Sequence, residues 1–189
     1  MIRNKDRLYV ALYARRGKSE TSGKKDAYHW GLVIGPKTEK NPSKSGIRFD
    51  AIEKLTTKGP VWQLVEETTS LLPGTTMVLI RVMIGKIIDK ERLLSVLRNT
   101  PVPAYEPRPA HDIYNCFTWV EETLGSIQRD GKAMGSSVLD WDSVRETALW
   151  YVKYHVAKMK LDRRTERDGG YNINTVASWD LIAGKEFPT

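Results

Sequence analysis

Cysteine is nearly missing from this chain: among its 189 residues only Cys116 is one. A single thiol excludes an intrachain disulfide, so nothing here calls for an oxidising compartment. Histidine is scarce as well, with His29, His111 and His155 as the 3 copies. They are scattered, with no His-Glu-x-x-His or Cys-x-x-Cys spacing, so no metal centre is expected. No glycine-rich phosphate loop is present, and no cofactor is implied. The chain has no apolar run of the roughly 20 residues that a membrane-crossing helix needs. The opening Met1-Ile2-Arg3-Asn4-Lys5-Asp6-Arg7 lacks the apolar centre of a signal peptide. These absences lead us to expect a cytoplasmic protein with no membrane span. Internal repeats and low-complexity stretches are absent too, which excludes a solenoid.

What is present describes an ordinary folded domain. Hydrophobic residues make up 40% and charged residues 28%, enough to build one full core. We read residues 1–160 as a single domain and 161–189 as a charged extension with a short helix. The net charge of +7 favours an anionic partner. Arg15, Arg16, Lys18, Lys24 and Lys25 crowd one loop, and residues 37–44 form a second basic loop. A third group comprises Lys153, Lys158, Lys160, Arg163, Arg164 and Arg167, but Asp162, Glu166 and Asp168 are interleaved with it, as on a solvated helix end. A nucleic-acid-binding or other anion-binding module is therefore the rival to an enzyme.

Taken in order, the chain reads as strands followed by helices. Leu8-Tyr9-Val10-Ala11-Leu12-Tyr13, Tyr28-His29-Trp30-Gly31-Leu32-Val33-Ile34-Gly35 and Ile47-Arg48-Phe49-Asp50-Ala51-Ile52 are rich in strand formers. Val61-Trp62-Gln63-Leu64-Val65 follows, and the most apolar run, Met77 to Gly85, is the fifth and best-buried strand. Asp89 caps a helix through Leu97. Residues 101–109 are proline-rich, and 131–137 read as a loop. Asp140 or Asp142 opens a long helix to about Met159, with Val144, Ala148, Tyr151, Val152 and His155 facing inward. A last short helix is expected from Asn174, with Val176, Trp179 and Leu181 as its apolar side. The fold class is α+β, an antiparallel or mixed five-stranded sheet packed on helices.

Ile113, Phe117, Val120, Leu124 and Ile127 recur with helical spacing, and Asp112 or Asn115 can cap the helix they define. Cys116 then falls in its first turn, where unpaired N–H groups and the helix dipole favour a thiolate. A lone cysteine is usually a small buried apolar residue. A nucleophile needs a base, and a third group to orient that base. His29 heads a strand that can aim at the helix, and Asp50 lies on the next strand. His111 reads as a loop residue and His155 as a core residue. For the oxyanion the Cys116 N–H is one donor, with Asn115, Tyr9 and Tyr13 as candidates for a second. Trp30, Trp62 and Trp119 are candidates to line an apolar substrate pocket.

The order of these pieces resembles the circularly permuted branch of the papain-like (NlpC-type) cysteine hydrolases and acyltransferases, which includes lecithin–retinol acyltransferase-like and PPPDE-type proteins. The likeness is carried by Tyr28-His29-Trp30-Gly31-Leu32-Val33-Ile34, Arg48-Phe49-Asp50 and Tyr114-Asn115-Cys116-Phe117-Thr118-Trp119-Val120. It implies Cys116 as nucleophile, His29 as base, Asp50 as orienting residue, and a thioester intermediate on a peptide, acyl or other small substrate. The acyltransferase branch follows its Asn-Cys with an acidic residue and a histidine. Phe117 and Thr118 stand there in this chain, so hydrolysis, acyl transfer and a cyclase or isomerase on the same scaffold all stay open.

Overall fold

A computed structural model describes residues 6–15, 27–36, 45–70, 78–102, 114–165 and 176–187. The elements in order are β1 (Arg7–Ala14), β2 (Tyr28–Gly35), β3 (Ser45–Thr56), β4 (Gly59–Ser70), β5 (Val78–Ile87), α1 (Lys90–Asn99), α2 (Cys116–Asp130), β6 (Met134–Ser137), α3 (Trp141–Thr165), β7 (Ser178–Asp180) and β8 (Lys185–Glu186). The fold is α+β with one mixed eight-stranded sheet, ordered β4-β3-β2-β1-β5-β7-β8, and β6 also pairs with β5. Five of these strands are the five expected from the sequence. The other three are short: β7 runs parallel to β5 at Arg81–Met83, β6 pairs with β5 at Gly85 and Ile87, and β8 pairs with β7.

Two expectations are corrected here. The stretch read as a loop over 131–137 includes β6, and the helix expected from Asn174 is replaced by β7, a turn and β8. Asp180 makes that turn, its Oδ1 accepting from the Ile182 and Ala183 N–H groups at 3.0 and 2.9 Å. Residues 178–186 thus belong to the sheet, and Ala177, Trp179 and Leu181 pack against the same core as the rest.

Strand alternation assigns the sheet two different faces. Leu8, Val10 and Leu12 of β1, and Tyr28, Trp30, Leu32 and Ile34 of β2, join Val120, Leu124, Ile127, Val144, Ala148 and Val152 in the main core. The helices lie on that side. Tyr9, Ala11, Tyr13, Val33 and Met83 form a smaller cluster, which the two-residue period puts on the opposite face. The inward stripe of α3 is as expected, except that His155 is only half-buried and Val156 is the buried neighbour.

Caps set the helix starts. Asp89 accepts from the Arg92 N–H at 3.0 Å, and Asp140, the nearer of the two candidates, accepts from the Ser143 N–H at 2.9 Å. Side-chain acceptors of this kind satisfy N–H groups that have no partner inside the helix. Among the described residues, no helix is long and apolar enough to cross a membrane.

Candidate active site

The first turn of α2 is built around its cap. Asn115 is extended at φ −157° and ψ 178°, and its Oδ1 accepts from the N–H groups of Phe117 and Thr118. Those bonds measure 2.9 and 3.1 Å. Cys116 is therefore the first helical residue, at the positive end of the dipole, with its own N–H outside the intrahelical ladder. The Phe117 ring locks the turn in place edge-on, with centroids 5.5 Å from Trp30 and 4.7 Å from Trp141. The thiol it carries is 1% exposed.

The partner surface is the opening between β2 and β3. Their ladder pairs Leu32 with Phe49, Val33 with Arg48 and Ile34 with Ile47. Beyond Leu32, at Trp30, a backbone N–H turns to the thiol instead, donating to Cys116 Sγ at 3.4 Å. Sulfur thus sits at the level of the strand backbone. That position lets His29 reach it, although alternation puts His29 on the face away from the helices.

His29 Nε2 lies 2.7 Å from Asp50 Oδ2. The imidazole also lies near enough to the Cys116 thiol for the two to interact through charge and hydrogen bonding. The geometry requires a gap in the side-chain layer, and Gly31 supplies it. A Cβ at Gly31 would stand 3.1 Å from the Phe49 carbonyl oxygen, 3.3 Å from Asp50 Cβ and 3.6 Å from Tyr13 Cε2. Tyr13 then closes over the imidazole at 5.9 Å between centroids. Asp50 is buried, and its other oxygen lies 3.0 Å from Arg48 Nε. That approach is close without the alignment of a hydrogen bond, so we regard it as charge pairing alone. Arg48 continues outward to Glu67 at 2.9 Å.

The charges are mutually consistent. Burial by itself lowers the His29 pKa, but the hydrogen bonds to Asp50 and Cys116 and both negative charges outweigh it, pushing the group up to about 9. Burial raises the Cys116 thiol, and here the imidazolium, the Trp30 N–H and the Arg15 guanidinium outweigh it, bringing the thiol below its ordinary value. Opposite shifts in two interacting groups favour the thiolate and imidazolium forms together. Burial keeps the Tyr13 phenol well above its usual range, and therefore protonated.

The structure thus gathers Cys116, His29 and Asp50. It does not gather all the other candidates. Tyr9 pairs with Val33, far along β1 from the Tyr13–His29 pair, and its hydroxyl donates to the Pro36 carbonyl at 2.8 Å. The side-chain oxygen of Asn115 is committed to the cap. Trp30 and Trp119 are fully buried core residues, so they line no open pocket. Trp62 is half-buried, its ring 5.5 Å from that of Tyr114. His155 stays on α3 beside Tyr151. His111 and most of the two basic loops lie outside the described residues. Among those described, no three His, Cys, Asp or Glu side chains group as metal ligands.

Sequence reasoning missed Arg15 as a site residue. Its Nη2 donates to Cys116 Sγ at 3.4 Å. Arg15 directly follows β1, whose last pair, Ala14 with Tyr28, sets it beside the start of β2. In the sequence it is one of several cations in a loop, and nothing local marks it out.

A model of a family of unknown function (DUF6914) matches residues 5–187. No curated protein and no solved structure matches the chain.

Proposed function

The chain belongs to that family, and we propose that it is a thiol-dependent hydrolase or acyltransferase working through a Cys116 thioester, with His29 as general base and Asp50 as the orienting residue. One observation carries the reading: the His29 imidazole is held by Asp50, 2.7 Å away, and interacts with the Cys116 thiol at the same site. A buried structural cysteine needs neither an imidazole nor a carboxylate behind it.

In this reading the thiolate attacks an acyl carbonyl, and the leaving group takes a proton from His29. His29 then removes a proton from water or another acceptor, which releases the acyl group from sulfur. Asp50 fixes the tautomer and stabilises the imidazolium. The order of His29 on β2, Asp50 on β3 and Cys116 opening α2 supports a permuted papain-like arrangement. Hydrolysis and transfer differ only in the acceptor.

The test is the rate of Cys116 alkylation by iodoacetamide against pH, in wild type and in His29→Ala. A thiol that ionises well below the ordinary value of about 8.5, and moves up when His29 is removed, supports the dyad. A slow thiol indifferent to His29 overturns it.

A further inference from the structure

We propose that Arg15 is a catalytic residue whose guanidinium stabilises the oxyanion formed when Cys116 attacks an acyl carbonyl. The inference rests on the thiol-enzyme reading and gives it a part it lacks. Oxyanion stabilisation needs donors preorganised around the attacking atom. The Cys116 N–H at the helix start is one. Of the candidates expected from the sequence, Tyr9 bonds Pro36, the Asn115 side chain is anchored by its oxygen at the cap, the Tyr13 ring packs by the imidazole and the Arg48 guanidinium, and the Trp30 indole is in the core.

Arg15 Nη2 is already within hydrogen-bonding distance of the reacting sulfur, at 3.4 Å. The carbonyl oxygen of an acyl group joined to Sγ is two bonds from that sulfur, so a donor reaching the sulfur also reaches its neighbourhood. A guanidinium offers five N–H donors on a rigid plane. It can address the thiolate before attack and the oxygen afterwards.

The charge moves along the same path. As the S–C bond forms, the carbonyl π pair becomes a lone pair on oxygen, so the negative charge passes from sulfur to oxygen beside a fixed cation. When the tetrahedral species collapses, the C=O bond re-forms and the bond to the leaving group breaks. The leaving group departs with the proton from His29. Arg15 acts only as a hydrogen-bond donor and a fixed positive charge, and no bond to it forms or breaks.

This role separates from mere thiolate stabilisation. Alkylation by iodoacetamide displaces iodide and forms no oxyanion, whereas acylation by p-nitrophenyl acetate forms one. Removing Arg15 raises the thiol pKa, which lowers the thiolate fraction but strengthens each thiolate as a nucleophile. At a pH where the thiol is fully ionised in both proteins, Arg15→Ala is expected to alkylate within about 3-fold of wild type. Its acylation burst is expected to slow by about 10²- to 10³-fold, the loss seen on deleting one oxyanion donor. Arg15→Lys, which keeps the charge and loses the fork, should fall between. Circular dichroism and the alkylation rate itself report whether each variant is folded.

Parallel losses in both reactions, or no loss in acylation, overturn the role for Arg15 while leaving the thiol-enzyme reading in place. A wild-type thiol that takes neither reagent overturns that reading, and this inference with it.

Discussion

Asp50 and His29 meet across the bare backbone of Gly31: Oδ2 and Nε2 are 2.7 Å apart, and a Cβ on the glycine would press on Asp50 Cβ at 3.3 Å. Both side chains stand on the sheet face opposite the helices, yet the imidazole still reaches a thiol carried by one. The splay of β2 from β3 makes both statements true at once.

Gly31→Ala should loosen this contact first. The Phe49 carbonyl at 3.1 Å is backbone and cannot yield cheaply, so the Asp50 and Tyr13 side chains are displaced. Crowding of this kind costs about 1–3 kcal/mol. The variant is expected to fold with a lower melting temperature. An NMR titration should show His29 ionising well below the value of about 9 to which Asp50 and Cys116 push it in the native site.

Asp50→Asn keeps the shape and removes the charge. The His29 pKa should fall, the thiol pKa should rise, and the acylation rate should drop by about 10²- to 10⁴-fold, as for an orienting aspartate in a related constellation. Paired alkylation and acylation profiles against pH measure all three. An unchanged profile would show that Asp50 only fills space.

Asn115 separates capping from catalysis. Asn115→Ala removes the acceptor for two N–H groups and should cost about 1 kcal/mol of stability. Asn115→Asp keeps the cap but adds an anion beside the thiolate, so stability should hold while the thiol pKa climbs. Denaturant titration reads the first effect and iodoacetamide rates the second.

The pH dependence of stability carries a signature of the ion pair. A histidine raised from 6.5 to about 9 adds stability that is complete below 6.5 and lost as pH rises through about 9. A lowered thiol works in the opposite sense, adding stability above its folded pKa and losing it below. Where thiolate and imidazolium coexist, the folded pair holds one proton, and so does the unfolded thiol with neutral imidazole. The slopes cancel. Wild type should therefore draw no slope from this pair between pH 6.5 and 9. In Cys116→Ala the imidazole loses the hydrogen bond and charge of the thiolate, so His29 should ionise below its native value of about 9, as read by NMR titration. An unmoved His29 titration in that variant would count against the pair.

Much of this was legible without coordinates because it is local. Alternation locates β1 to β5, Asp89 and Asn115 are readable caps, and the helical spacing after Cys116 places the thiol in a first turn. The five-strand reading fell short because β6, β7 and β8 have 4, 3 and 2 residues. Segments so short carry no periodicity, and they are strands only because the edge of β5, or of one another, offers hydrogen bonds. Val176, Trp179 and Leu181 mimic a helical stripe, but β-pairing with Arg81–Met83 outweighs so weak a local preference.

The sequence by itself determined which groups are chemically able: one thiol at a helix start, one histidine at a strand start, one aspartate on the next strand. Tertiary structure alone decided that they share one site, that the Tyr9 and Trp30 side chains face elsewhere, and that Arg15 points at sulfur. The physical reason is range. Caps and periodicity act over a few residues, whereas the Arg15–Cys116 contact spans 101 positions and the Trp30–Cys116 contact 86. Both depend on where β2 parts from β3, which no local pattern encodes.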